Sequence, residues 1–207
     1  MDKNITKKML RDSGIPTADW TIARSIEDID YDKIEEMGYP VFIKPNSGGS
    51  SVATFKVECR EDVEDAVRAG LEVDDIVMIE AYLPGDEYTS FVLDGEVYPT
   101  IKISSPTGFF DFESKYSTGA NAAKEEVVYL EKDLQDQINK ASKAVWDTFY
   151  CRAYVRADFI LSNGTFYVLE LNTLPGMTPT SLIPRSANAK GLSYSELVDK
   201  IMETSLK

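Results

Sequence analysis

The 207-residue sequence predicts an α+β fold, and three observations carry that reading. Its first half alternates short apolar strands with amphipathic helices. Its second half holds two strand pairs wrapped around the turn dipeptides Asp94-Gly95 and Asn163-Gly164. Near the end, Ser193 and Glu196 stand three apart ahead of an apolar run, the pattern of a capping box.

Taken in order, residues 2–13 read as an amphipathic helix closed by Gly14 and Pro16. WTIAR is a short strand, and EDIDYDKIEEM a helix ended by Gly38. PVFIKP is a buried strand, followed by the Gly/Ser-rich NSGGSS and the strand VATFKVE. Residues 61–72 are helical, and DIVMIEAYL is a strand running into Pro84-Gly85. Then comes a hairpin of EYTSFVL and EVYPTIKIS. Residues 105–126 have the Gly, Ser and Asn content of a long ordered loop. Residues 131–149 form a long helix, two strands flank Asn163-Gly164, and the last helix begins at Ser193.

Composition narrows the chemistry. There are 35 acidic against 22 basic residues, a net charge of −13, which disfavours nucleic acid and anionic membrane as partners. No apolar run approaches the roughly 20 residues that span a bilayer. Cys59 and Cys151 are the only cysteines, which points to the reducing cytoplasm and not to a disulfide scaffold. The count of histidines is 0, so Ser-His-Asp, Cys-His and HExxH chemistry are all excluded. A metal site must then be built from carboxylate, amide or carbonyl oxygens, which suits magnesium or manganese.

Four stretches could carry function, and each also has a plain structural reading. In FYVLELNTLPGM, side-chain alternation puts Val168, Glu170 and Asn172 on one face. A three-residue loop, Ser162-Asn163-Gly164, would oppose Leu161 to Thr165 and bring Arg156 and Asp158 to that same face. Asp158, Glu170 and Asn172 would then either bridge two divalent cations or form the polar side of a sheet. In IKPNSGGSSV, the lysine and the small residues after it either wrap an anion or make a simple turn. The strand end IEAYLPGDEY, with Glu80 and Glu87, either reads an adenine edge and a ribose or is a turn flanked by acids. Lys115-Tyr116 is either a lid contact or surface.

The order of these pieces resembles the ATP-grasp superfamily and, within it, the D-alanine–D-alanine ligases. The resemblance runs over essentially the whole chain and is most specific in IKPNSGGSSV, RADFIL and LELNTLPGMTPTSLIP. It implies two α+β subdomains, 17–85 and 86–207, after an N-terminal helix at 1–16, with antiparallel sheets enclosing ATP. Lys3 and Lys44 would contact phosphates, with Ser50 and Ser51 closing over them. Glu80, Ala81 and Leu83 would surround adenine, and Glu87 the ribose. Asp158, Glu170 and Asn172 would hold two magnesium or manganese ions. Arg156 and the Gly176 amide would stabilise an oxyanion, while Lys115, Tyr116, Ser181 and Leu182 would hold D-alanine.

The implied activity is ATP-dependent ligation of two D-alanines for peptidoglycan precursors. The family's N-terminal domain is expected to be absent, so that domain or a homodimer partner would complete the site. Two other readings stand beside it: a nucleotide-binding module without ligase activity, and a ligase for another carboxylate and amine. The phosphate loop departs from the family in having Ala53 where glycine is common, and Phe110 replaces a common tyrosine.

Overall fold

The strands Val41–Pro45 and Val77–Ala81, with Val41, Ile43, Val77 and Ile79 turned to one core, build the first of two sheets. The computed structural model describes residues 2–49, 52–104 and 124–207. They divide into two units, the first holding 2–8 and 18–83 and the second 9–17, 84–104 and 124–207.

The first unit contains β1 (Trp20–Ala23), α2 (Tyr31–Met37), β2 (Val41–Pro45), β3 (Phe55–Val57), α3 (Val63–Leu71) and β4 (Val77–Ala81). It also takes the start of α1 (Lys3–Asp12). Its four strands run antiparallel in the order β1-β4-β2-β3. Val41, Ile43, Val77 and Ile79 bury one face against Ile34 of α2 and Val63, Ala66 and Val67 of α3. Ile43 and Ile79 are fully buried, so truncating either to alanine would cost about 2–5 kcal/mol. Helix α2 starts later than its periodicity predicts, because the Asp30 carboxylate accepts from the Lys33 amide at 2.9 Å and caps it there. Gly38, at φ 77°, ends it as expected. The strand expected from Val52 begins only at Phe55, since Ala53 turns the chain at φ 50°. A β-carbon in that left-handed region costs about 1–2 kcal/mol, which is why glycine suits the position.

The second unit contains β5 (Asp86–Leu93), β6 (Glu96–Val97), β7 (Ile101–Ser104), β8 (Lys124–Val127), α4 (Lys132–Thr148), β9 (Tyr154–Ser162) and β10 (Thr165–Asn172). Helices α5 (Leu182–Ala189) and α6 (Tyr194–Ser205) follow. The sheet order is β10-β9-β5-β7-β8, with β6 paired to β5, and all of these pairs are antiparallel. On one face Tyr88, Val92, Val155, Ala157, Phe159, Phe166, Val168 and Leu171 pack with Ile138 and Val145 of α4, and with Leu10 and Ile15. Over one end of the other face, Phe91, Leu93 and Tyr98 pack with Ile183 and Ala187 of α5 and Leu197 of α6.

Four expectations are corrected in this unit. EVYPTIKIS is not one strand: β6 and β7 are separated around Pro99, which has no N–H to give a ladder, and the pairing with β5 shifts by one residue there. Residues 124–126, read as the end of a loop, form β8 with Val127 at the sheet edge, where charged side chains are favoured. Residues 182–189 are helical although no helix is predicted there; Pro184 lies in the first turn, where its missing N–H is harmless. The last correction concerns the register of β9 and β10. Thr165 pairs with Ser162, so the turn is the two-residue Asn163-Gly164, with φ of 49° and 78°.

That tighter turn would by itself separate Asp158 from Glu170. A bulge between Val168 and Glu170 restores the match, giving Glu170 opposite Asp158 and Asn172 opposite Arg156. Its consequence is that Val168 does not share a face with Glu170 and Asn172. Val168 joins the core with Leu171, and the polar pair turns to the other side. At the bulge, Pro16 and Thr17 cover the strand edge: the Val168 amide donates to the Pro16 carbonyl at 2.8 Å, and the Thr17 hydroxyl to the Val168 carbonyl at 2.8 Å.

Candidate functional site

In the first unit the face opposite the core carries the candidate residues. Trp20 and Phe42 both pair with Glu80, and Lys44 pairs with Met78, so all five side chains share that face. Glu80 is 3% exposed, and its two oxygens hold two different lysines. Lys7, reaching in from α1, forms an ion pair with Oε1. Lys44 donates to Oε2 at 2.5 Å. Burial alone would raise the Glu80 carboxyl, but the charges and hydrogen bonds of Lys44 and Lys7 outweigh it and hold it at about 2. Lys7 also donates to the Ala18 carbonyl at 2.9 Å and lies 5.4 Å from the Trp20 ring centroid.

Helix α1 is fixed to the start of the Gly/Ser loop through buried Asn46. The Asn46 side chain accepts from the Asn4 amide at 2.8 Å, and its backbone carbonyl accepts from the Lys3 amide at 3.1 Å. The Lys3 ammonium donates to the Gly48 carbonyl. Both anchoring bonds tie the loop's entry to a helix that carries Lys3 and Lys7 four residues apart, hence on one helical face. At the other end of the face, the Ala81 amide donates to the Asp19 carbonyl at 2.9 Å, which fixes the backbone leading to Leu83. Phe42 and Tyr82 are in ring contact at 5.8 Å, and Lys56 stands 4.9 Å from the Tyr82 ring.

The second unit presents Glu87, Arg156, Asp158, Glu170 and Asn172 on the sheet face opposite its α4 core. Asp158, only 5% exposed, is the hub. Arg156 donates to it twice, from Nε at 2.9 Å and Nη2 at 2.7 Å. The Thr89 hydroxyl donates to Oδ1 at 2.6 Å, and the Asn172 amide nitrogen to Oδ2 at 2.8 Å. A carboxylate held by a bidentate guanidinium and two further donors has a fixed plane. Burial would lower the Arg156 guanidinium, but Asp158, Glu170 and Glu87 together raise it. The oxygen donors of Asp158, Glu170 and Asn172 suit a hard divalent cation, and three carboxylates around one guanidinium favour positive charge. Among the described residues there is no cluster of three or more carboxylate, thiol or imidazole ligands.

Past β10 the chain turns through Gly176 to Ser181. A β-carbon on Gly176 would lie 3.3 Å from the Ser181 hydroxyl, tighter than ordinary contact. The Ser181 hydroxyl accepts from the Thr178 amide at 3.0 Å, and Leu182 opens α5 directly after it. The Pro84-Gly85 turn is equally tight, since a β-carbon on Gly85 would overlap the Leu161 carbonyl. Ser50, Ser51, Phe110, Lys115 and Tyr116 lie outside the described residues.

Two residues at these faces escape the sequence reading: Lys7 and Thr89. Lys7 had a usable signal in its four-residue spacing from Lys3, and Thr89 in its alternation with Glu87. Asn46 lies within the loop singled out in the sequence, but its bonds to helix α1 had no local signal, because its partners are far away in the chain.

A family model described as D-ala D-ala ligase C-terminus matches residues 9–203. The chain belongs to the D-alanine–D-alanine ligase family. Over all 207 residues it is 49% identical to D-alanine–D-alanine ligase B of Clostridium perfringens, covering 68% of that protein. A D-alanine–D-alanine ligase of Clostridium botulinum strain Hall is 48% identical, with the same 68% covered. The fold matches the crystal structure of D-alanine–D-alanine ligase from Bacillus anthracis complexed with ATP, with a TM-score of 0.86 at 39% identity. That match spans 99% of this chain and 65% of the other. VanG D-Ala:D-Ser ligase from Enterococcus faecalis gives a TM-score of 0.85 at 25% identity, over 99% of this chain and 61% of its own. The chain thus spans about two thirds of its relatives' length and corresponds to the C-terminal portion of a D-alanine–D-alanine ligase. Its α+β fold with two antiparallel sheets is the ATP-grasp architecture of that portion.

Proposed function

We propose that this chain binds magnesium ATP and D-alanine as the ATP-binding portion of a D-alanine–D-alanine ligase. The reaction is formation of D-alanyl-D-alanine in the cytoplasm for peptidoglycan precursors. The observation that carries the reading is the polar face of the second sheet, where Asp158 gathers Arg156, Thr89 and Asn172 opposite Glu170.

Lys3 and Lys44 are assigned to the phosphates, with Ser50 and Ser51 by family resemblance. The Glu80 carboxylate is committed to two lysines, so its contribution to adenine runs through the backbone from Glu80 and Ala81 to Leu83. Glu87 is assigned to the ribose. Asp158, Glu170 and Asn172 would hold two divalent cations, whose chemistry is to neutralise phosphate charge during transfer.

Chemistry proceeds in two displacements. A carboxylate oxygen of the first D-alanine attacks the γ-phosphorus of ATP; ADP leaves and an acyl phosphate forms. The amine of the second D-alanine then attacks the acyl carbon, phosphate leaves with its electron pair, and the amine loses a proton. Arg156 is the fixed cation beside the developing oxyanion: Asp158 takes its Nε and Nη2, leaving Nη1 as a donor not used on that carboxylate. Gly176 supplies an amide to the same oxyanion. Ser181 and Leu182, with Lys115 and Tyr116, hold the carboxylate of the second amino acid.

Calorimetry tests the reading first. The wild-type chain should bind ATP more tightly with magnesium than without, and Glu170→Ala should remove that difference. A wild-type chain that binds ATP equally with and without magnesium would sink the metal assignment. Phosphate release on adding D-alanine separates a ligase from a binding module. D-serine and D-lactate offered in competition test the second substrate, given the likeness to a D-Ala:D-Ser ligase.

A further inference from the structure

Lys7 is a buried lysine that the nucleotide reading does not use. Its side chain is 1% exposed, against 4% for Glu80 and 16% for Lys44. Glu80 therefore stands between two ammonium groups, one from a fully buried side chain and one from a more exposed one. Each takes a different carboxylate oxygen. A neutral alternative was physically open at this position. Lys44 and Glu80 alone would make a closed ion pair, and a methionine would fill the volume of Lys7 without desolvating a charge. Burying an additional cation is costly and adds positive charge beside a lysine already paired.

The energetic logic points outward, to Lys44. With one carboxylate serving two lysines, the triad carries a formal charge of +1; without Lys7 the remaining pair is neutral. Lys7 is itself held from three sides, by the Glu80 carboxylate, the Ala18 carbonyl at 2.9 Å and the Trp20 ring. That rigidity passes through Glu80 to Lys44, whose side chain is the most exposed of the three. We propose that Lys7 is a positioning residue for the nucleotide phosphates. It fixes the carboxylate that orients Lys44, and it keeps the triad cationic toward an anionic ligand. The inference rests on the assignment of Lys44 to phosphate made above.

The test reads magnesium-ATP affinity by calorimetry and melting temperature by scanning, on the 207-residue chain. Lys7→Met should keep the wild-type melting temperature within a few degrees and weaken ATP about tenfold, about 1.4 kcal/mol. Lys7→Met combined with Glu80→Gln should recover most of the lost affinity, because Lys44, freed of the Glu80 charge, again presents a net +1 to the phosphates. A merely structural lysine predicts the opposite, a double variant no better than the single one. If Lys7→Met does not fold, Lys7→Gln retains a donor to Glu80 without the charge, and the same loss and rescue are expected. Wild-type affinity in either folded Lys7 variant overturns this inference alone, as does a double variant without recovery. Failure of the wild-type chain to bind magnesium ATP overturns the nucleotide reading and this inference with it.

Discussion

Two buried carboxylates organise the two candidate faces, and they do so by different means. Glu80 is shared between two ammonium groups, while Asp158 is locked by the planar fork of Arg156 together with Thr89 and Asn172. The second arrangement depends on shape as much as on charge. Lysine at 156 would keep the charge but lose the two parallel hydrogen bonds. Arg156→Lys is therefore expected to reduce D-alanine-dependent phosphate release about 100-fold while leaving ATP affinity within about threefold. Equal losses in both would show that Arg156 serves ground-state binding instead. At this scale the sequence is informative wherever a polar residue interrupts an apolar strand, as Asp158 and Glu170 do. It is silent on which polar residues meet. Nothing near Lys7 announces that its partner is Glu80, brought to it only by the folded sheet.

Among the elements, the pair β9 and β10 shows best what local patterns can and cannot carry. Asn163-Gly164 marks the hairpin plainly, and the capping box at Ser193 and Glu196 is present as the residues imply. Turn length was harder to read, because Ser162-Asn163-Gly164 and Asn163-Gly164 are both sound loops. The bulge at Leu169 leaves no local signature at all. It coincides with the edge contacts of Pro16 and Thr17, and the Thr17–Val168 bond joins residues 151 apart in sequence. Helix α5 was hidden for a different reason, since Pro184 looks like a helix breaker until it is seen to lie in a first turn. Removing Leu169 should thus do more than shorten a strand. It would turn Glu170 and Asn172 toward the α4 core or expel Val168 from it. We expect the deletion to destabilise the second unit by more than about 3 kcal/mol and to abolish magnesium-dependent ATP binding. Retained stability, measured by urea denaturation, would mean the bulge is incidental.

Across the whole molecule, each unit has its own core, and each contains one of the two tryptophans, Trp20 in the first and Trp146 in the second. Their chemistry separates them by pH. Glu80, fully buried in the first unit, is held at about 2 against an ordinary 4.5. A carboxyl depressed in the folded state contributes stability that is complete above pH 4.5 and is lost as pH falls toward 2. The linked contribution is on the order of 3 kcal/mol. In the second unit, Glu96 and Glu196 are also lowered, by hydrogen bonds from Lys190 and Ser193, but both lie at the surface where water screens them. Fluorescence of Trp146→Phe, which reports Trp20, should therefore report unfolding at higher pH than fluorescence of Trp20→Phe. Glu80→Gln should flatten the acid limb of the first transition. Coincident acid transitions in the two variants would contradict this division.

The extra residue at Leu169 also has a practical meaning for comparing sequences. Before it, substitutions at Phe166 and Val168 are judged by whether they fill space; after it, at Glu170 and Asn172, by whether they keep the opposite face polar. A single gap placed there in an alignment looks harmless, yet it exchanges the inside of a strand for its outside. The same property makes it a place where an engineer could move a ligand set from one side of a sheet to the other without altering which strands are neighbours.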